Sequence, residues 1–207
     1  MDKGKILERL GFLAEHDGKF HKNNYDGFIT FGAAEHKFIL NPVLPEADVK
    51  NFEREHNIEL PKDYFYFVTN IGNGGAGPGY GLLPLETWSR ELADPPAGDF
   101  LNTPFPHTAP WNDTVFYELD DDGGDDFYHS NKYVTGAIRI AHYGCGIMYM
   151  LVVTGNEKGH IWVDDRCSDY GIYPAANPPV GFETWYTDWL EKSAGELSDW
   201  LEYGNKH

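Results

Sequence analysis

The sequence predicts an α+β fold: a mainly antiparallel central sheet with helices packed against it, in a single domain. Three observations predict it. Helices come first, in three periodic segments between residues 3 and 71. Strand patterning gathers between Ala137 and Asp165 as two hairpins in succession, which reads as an antiparallel meander. A helix then closes the chain. That order lacks the regular strand–helix alternation of a parallel α/β protein.

Residues 3 to 16 read as a short amphipathic helix with Ile6, Leu7, Leu10 and Leu13 on one side. Residues 18 to 43 are aromatic and irregular, with candidate edge strands at Phe28–Phe31 and Lys37–Leu40. Pro45 suits a helix opening, because its missing N–H would be unpaired there anyway. The helix it opens runs from Glu46 to His56, with Val49 and Phe52 on one face and Asn57 as a left-handed cap. Leu60-Pro61 restarts the chain. Tyr64, Phe67, Val68 and Ile71 then recur at i, i+3, i+4 and i+7, and Gly72 ends that helix.

A glycine-rich turn follows from Gly72 to Glu86. Residues 88 to 135 are the least regular part, rich in proline and carrying the acidic run Asp120 to Asp126. Ala137 to His142 reads as a strand. Ile147 to Thr154 is nearly continuous and apolar, as expected of a central strand covered on both faces. Gly159 to Asp165 alternates, with Ile161 and Val163 against His160 and Trp162. The last helix spans Phe182 to Ser193, with Phe182, Trp185, Tyr186, Trp189 and Leu190 on one face. Gly195 is expected to break it before a short continuation through Leu197, Trp200 and Leu201.

Composition narrows the function. There are 33 acids against 16 bases, a formal net charge of −17, so nucleic acid and anionic membranes suit this surface poorly. A basic protein suits it well. Six Trp, thirteen Tyr and thirteen Phe supply a core and leave aromatics available for an interface. No secretory signal or membrane-length apolar run is visible, and two cysteines are too few for a stapled secreted fold. A cytoplasmic setting is the expectation.

Catalytic readings fail one by one. The run Gly72–Gly81 lacks the Gly-Lys-Ser/Thr ending of a phosphate loop and follows a helix instead of opening one. Asp120–Asp126 lacks the glycine and glutamate spacing of a calcium hand. His142 and Cys145 form one close pair without the second pair of a zinc site, so Cys145 is expected to be buried and inert. Gly-x-Ser-x-Gly is absent. Glu53 and Glu55 diverge on a helix. Trp162 is expected to pack across strands. No enzyme activity, cofactor or metal is expected.

Three segments together resemble the SUKH superfamily, which includes yeast Smi/Knr-type cell-wall regulators and many bacterial toxin-immunity proteins. The first is Val49–Tyr64, with Phe52-Glu53 and Leu60-Pro61. The second is the glycine turn with Gly81 to Leu85. The third is Gly136–Asp165, with a Gly144-Cys145-Gly146 turn and Gly159-x-Ile161-Trp162. The Trp185 to Leu190 helix also fits. The resemblance places a SUKH domain at 45–193, an N-terminal helix and irregular extension of the same domain at 1–44, and a C-terminal tail at 194–207.

The resemblance implies binding: a cytosolic immunity protein that occludes a cognate toxin such as a nuclease, or alternatively a non-enzymatic scaffold or adaptor for an endogenous protein. The partner is expected to be basic. Asp120, Asp121, Asp122, Asp125 and Asp126 are the expected acidic face, with Asp164 and Asp165 beside it. Tyr80 and Trp88 are the expected aromatic anchors, because they follow a turn placed at the surface.

Overall fold

The computed structural model describes residues 1–18, 21–22, 25–90, 92, 94–113 and 127–204, the side chains of 21–22, 25–26 and 203–204 excepted. Helix α1 (Lys3–His16) starts where the Asp2 carboxylate accepts the Lys5 N–H at 3.1 Å. It buries Ile6, Leu10 and Leu13 against the closing helix and leaves Leu7 in solvent.

The expected edge strands at 28–31 and 37–40 do not form. The buried Asp17 carboxylate instead takes the N–H groups of Gly18, Ile29 and Thr30 at 2.9, 2.7 and 3.0 Å, folding that stretch into a turn. A single helical turn, α2 (Ala33–His36), follows, and Lys37 and Phe38 both adopt positive φ. Side-chain bonds to the backbone have displaced the ladder here. Among the described residues of this region, the two-residue strands β1 (His21–Lys22) and β2 (Tyr25–Asp26) pair with each other, and Leu40 makes a single bridge to Gly75.

Helices α3 (Glu46–Glu55) and α4 (Lys62–Asn70) form as their prolines and periodicity predict. Glu53 is buried for a structural reason: its Oε1 accepts the Leu60 N–H at 2.8 Å and fixes the link between the two helices. Asp63 reaches across to accept the Glu183 N–H at 3.0 Å, placing a carboxylate at the N-terminus of helix α5 (Phe182–Gly204). Phe67 packs between Phe182 and Tyr186, with ring centroids 5.0 and 4.9 Å away.

Strands β3 (Ala137–Gly144), β4 (Ile147–Val152), β5 (Ile161–Asp165) and β6 (Gly171–Pro174) form one antiparallel sheet in sequential order. The glycine turn lies along the outer edge of β3, where Tyr80 and Leu83 donate to the His142 and Ile140 carbonyls at 2.8 Å each. Trp111 bridges Ile172 on the opposite edge. Helices cover one face. Phe105, Trp111, Tyr128 and neighbouring rings from segments 98–113 and 127–135 cover the other, with Phe105 5.1 Å from Trp162.

The sequence assigns two-faced burial to β4, but β5 is the strand buried along its whole length. The irregular layer accounts for this, because it hides the Trp162 and Asp164 side of β5 that alternation would place in water. Trp162 does pack within the sheet, as expected. Trp185 is buried and Trp189 partly so.

Gly195 does not end the last helix. α5 continues through Gly204, and Ala194 and Leu197 on either side of the glycine are buried. Their packing outweighs the local cost of a glycine, about 1 kcal/mol against alanine. Gly195 is exposed, with nothing within 4 Å of the place a Cβ would occupy. Gly195→Ala is therefore expected to stabilise by about 0.5–1 kcal/mol and raise Tm by about 1–4 °C. An unchanged or lowered Tm in a thermal melt would mean that the helix bends at this point in solution.

Candidate functional site

A strip of five aromatic side chains, with Phe31, Tyr80 and Tyr143 exposed and Tyr149 and Tyr173 half-buried, lies where the helical face of the sheet runs beyond the start of α5. Strand register builds its centre. Tyr149 on β4 pairs with Val163 on β5, which pairs with Tyr173 on β6, so all three share a face. Trp185 of α5 covers Tyr149 at 5.0 Å. Tyr143 stands 5.9 Å from Tyr149 on the uncovered side and is 42% exposed. Phe31 continues the strip at 5.1 Å from Tyr143, and Tyr80 lies 5.5 Å from Phe31.

Two glycines make the Phe31–Tyr80 contact possible. A Cβ on Gly32 would sit 2.0 Å from the Gly79 carbonyl oxygen, and one on Gly79 would sit 2.5 Å from the His142 oxygen. Backbone can lie directly on backbone only without those side chains. The loop bearing Phe31, the turn bearing Tyr80 and strand β3 are thus held in one stack.

The strip keeps large aromatic area in water, with Phe31 at 54% and Tyr80 at 41% exposure. Contiguous apolar surface of this kind marks interaction sites. Tyrosines suit the role because each offers a broad ring and a polar tip at small entropic cost. Burial, and then Tyr143, pushes the Tyr149 hydroxyl up to about 12, so it stays neutral across the physiological range. The Tyr173 hydroxyl is raised further, by burial and by its 2.9 Å hydrogen bond to Asp165.

Beside Tyr80 lies a cleft of about 820 Å³, lined by His36, Ile39, Leu83, His142 and Cys145 among others. Burial drives the pKa of His36 down to about 4, against weaker opposing pulls from Gly77 and Asp17. Its Nδ1 accepts the Phe38 N–H at 3.0 Å, and its Nε2 has no hydrogen bond of normal geometry. His36 is therefore a neutral packing residue, set edge-on against Phe38 and Trp189.

The residues singled out from the sequence meet different fates. Tyr80 is at the surface, in the strip. Trp88 is not: it is 9% exposed, because the short 3-10 turn Leu85–Thr87 carries it inward against Phe100 and His56. Asp164 is also no surface acid. Arg166 holds it through two bonds of 2.7 and 2.8 Å, and Arg139 through one of 3.0 Å. Burial alone would raise its carboxyl, but the two guanidinium groups outweigh burial and hold it below the usual range. Asp165 is buried as well, on the opposite face of β5.

Asp120, Asp121, Asp122, Asp125 and Asp126 lie outside the described residues. The segments flanking them are fixed together. Tyr128 Oη donates to Asn112 Oδ1 at 2.6 Å, and Arg166 Nη1 donates to the Tyr128 and Ser130 carbonyls at 2.9 and 3.1 Å. Cys145 is exposed, contrary to expectation, because it occupies the β3–β4 turn at positive φ. Among the described residues no group of three or more His, Cys, Asp or Glu side chains could hold a metal ion, and no helix is long and apolar enough to cross a membrane.

Phe31, Tyr143, Tyr149 and Tyr173 were missed by the sequence reading. The hairpin around Gly144-Cys145-Gly146 signals that Tyr143 and Tyr149 are close. Their common face is not readable, because β3 shifts register twice against β4, between Arg139 and Ala141 and between His142 and Gly144.

Comparison with known proteins adds a family. The model of the SMI1 / KNR4 family (SUKH-1) matches residues 44–202. The chain is also similar to immunity protein RhsIB of Dickeya dadantii (strain 3937), at 23% identity over 171 residues, covering 80% of this chain and 82% of that protein. No solved structure gives a significant match. With the family match spanning well over half of its length, this chain belongs to the SMI1 / KNR4 family (SUKH-1).

Proposed function

We propose that this protein is a non-enzymatic immunity protein that binds a cognate toxin in the cytosol and blocks it by occlusion. The observation that carries the reading is the exposed aromatic strip on a chain of net charge −17. Similarity to an immunity protein and membership of a family with such members support it. A nuclease is the toxin class that suits the charge best, since it must carry cations to hold phosphate. Acidic surface then speeds encounter, and the aromatic anchors slow dissociation.

The test is to seek a toxin domain encoded directly upstream of the gene and co-express it with this protein. Wild-type protein should restore growth, and the pure proteins should form a stable complex. Replacing Phe31, Tyr80 and Tyr143 together with serine should raise koff. Anchor residues cost about 2 kcal/mol or more each, so the loss should exceed roughly thirtyfold in Kd. Changing Asp120, Asp121, Asp122, Asp125 and Asp126 to Asn should instead slow kon and flatten its salt dependence. Growth arrest despite wild-type protein would overturn the immunity reading in favour of an endogenous partner. Wild-type kon in the five-Asn variant at low and high salt would remove that segment from steering.

A further inference from the structure

Asp164 and Asp165 are consecutive buried carboxylates on opposite faces of β5, and they are treated differently. Asp164 is filled by two guanidinium groups, those of Arg166 and Arg139. Asp165 is 6% exposed, yet among the described residues no lysine or arginine lies within ion-pair distance of it. Its Oδ2 accepts the Tyr173 hydroxyl at 2.9 Å, and among the described residues its Oδ1 has only the Cys167 thiol at 3.9 Å. A carboxylate this buried is ordinarily balanced by a cation. Oδ1 keeps acceptor capacity to spare.

The surroundings fit a visiting cation. Val163 forms a floor between Tyr149 and Tyr173, on the same face as Asp165. Tyrosine ring faces are electron-rich and attract cations. A guanidinium stacks on such rings and matches a carboxylate with a planar fork, which an ammonium does not. The rim is open: Tyr143 and Cys167 are exposed, and Ile147 and Tyr173 are half-buried.

We infer that the Asp165 end of the aromatic strip is a receptor for an arginine side chain of the partner, its guanidinium stacked against Tyr149 and Tyr173 and paired with the Asp165 carboxylate. This deepens the immunity reading by naming the chemistry the toxin presents to this surface. The net charge of −17 favours a basic partner independently of the local geometry.

The site can be tested without any toxin. N-acetyl-arginine amide is titrated into full-length protein while the tyrosine ring protons are followed by NMR, with N-acetyl-citrulline amide as the neutral isostere and N-acetyl-lysine amide as the ammonium control. Saturable millimolar shifts are expected at Tyr149 and Tyr173 with the arginine probe, none with citrulline, and at least tenfold weaker binding with lysine. Asp165→Asn keeps an acceptor for Tyr173 and should weaken arginine binding at least tenfold. Tyr149→Leu removes a wall, leaves the carboxylate, and should also weaken it, which secures the test if Asp165→Asn fails to fold.

Absence of saturable shifts at these rings, equal binding of citrulline or lysine, or wild-type binding by the folded variants would each overturn the inference. The two readings fail separately. Toxin protection with no arginine binding removes this receptor alone, whereas arginine binding without toxin protection leaves it in place and removes the immunity role.

Discussion

Arg166→Ala is expected to lower stability by about 3–5 kcal/mol, the usual cost of leaving a buried ion pair without one partner. Arg166 is nearly inaccessible, and its guanidinium serves two structures at once. It neutralises Asp164 from β5, and it takes up the Tyr128 and Ser130 carbonyls. Its loss should therefore loosen the irregular layer as well as the sheet. Hydrogen exchange should show lost protection at Tyr128–Val134 together with the drop in urea midpoint. A midpoint within experimental error of wild type would show that Arg139 alone satisfies Asp164.

Asp164→Asn adds a pH test of the same network. The folded-state pKa of Asp164 is depressed, so its stabilising contribution is complete above the unfolded value of 3.8 and disappears as pH falls through the lower folded-state value. The stability gap between wild type and Asp164→Asn should be constant near neutrality and close only below pH 3.8. A gap that closes between pH 7 and pH 5 would assign the titration to another group.

The second large effect is expected at Gly79. Its φ of +64° disfavours any side chain, and a Cβ would meet the His142 carbonyl oxygen at 2.5 Å and the Tyr143 Cα at 2.9 Å. The conformation alone costs about 1–3 kcal/mol for a non-glycine residue. The clash adds to it, because neither contact is a flexible side-chain end. Gly79→Ala should destabilise the fold and also separate Tyr80 from β3, so partner binding should fall even where the variant remains folded. Gly98→Ala is the control, with nothing within 4 Å of its Cβ position, and should stay within about 0.5 kcal/mol of wild type. Equal effects at the two positions would show that the glycine turn is adaptable.

Much of the architecture was legible because it is written in local periodicity. α1, α3 and α4 follow from apolar residues at helical spacing and from Pro45 and Pro61 at helix openings. The meander follows from alternation broken by glycine turns. Errors arose where a non-local group intervened. Asp17 turned an expected strand into a bend by capturing N–H groups more than ten residues away. Buried Ala194 and Leu197 carried α5 through Gly195.

The binding surface divides along the same line. The sequence by itself determined the strong acidity, the aromatic richness and the family resemblance, since these depend on composition and on motifs a few residues long. Tertiary structure alone decided which aromatics face water. Trp88 and Tyr80 are eight positions apart, yet a 3-10 turn buries one and a backbone stack presents the other. It also decided which acids remain available. Asp164 and Asp165 are adjacent in the chain, but strand pleating sends them to opposite faces of β5. On one face the fold supplies two arginines, and on the other the described residues supply a tyrosine hydroxyl and a thiol. Sequence spacing encodes the alternation of faces, whereas the content of each face is set by segments that arrive from elsewhere in the chain.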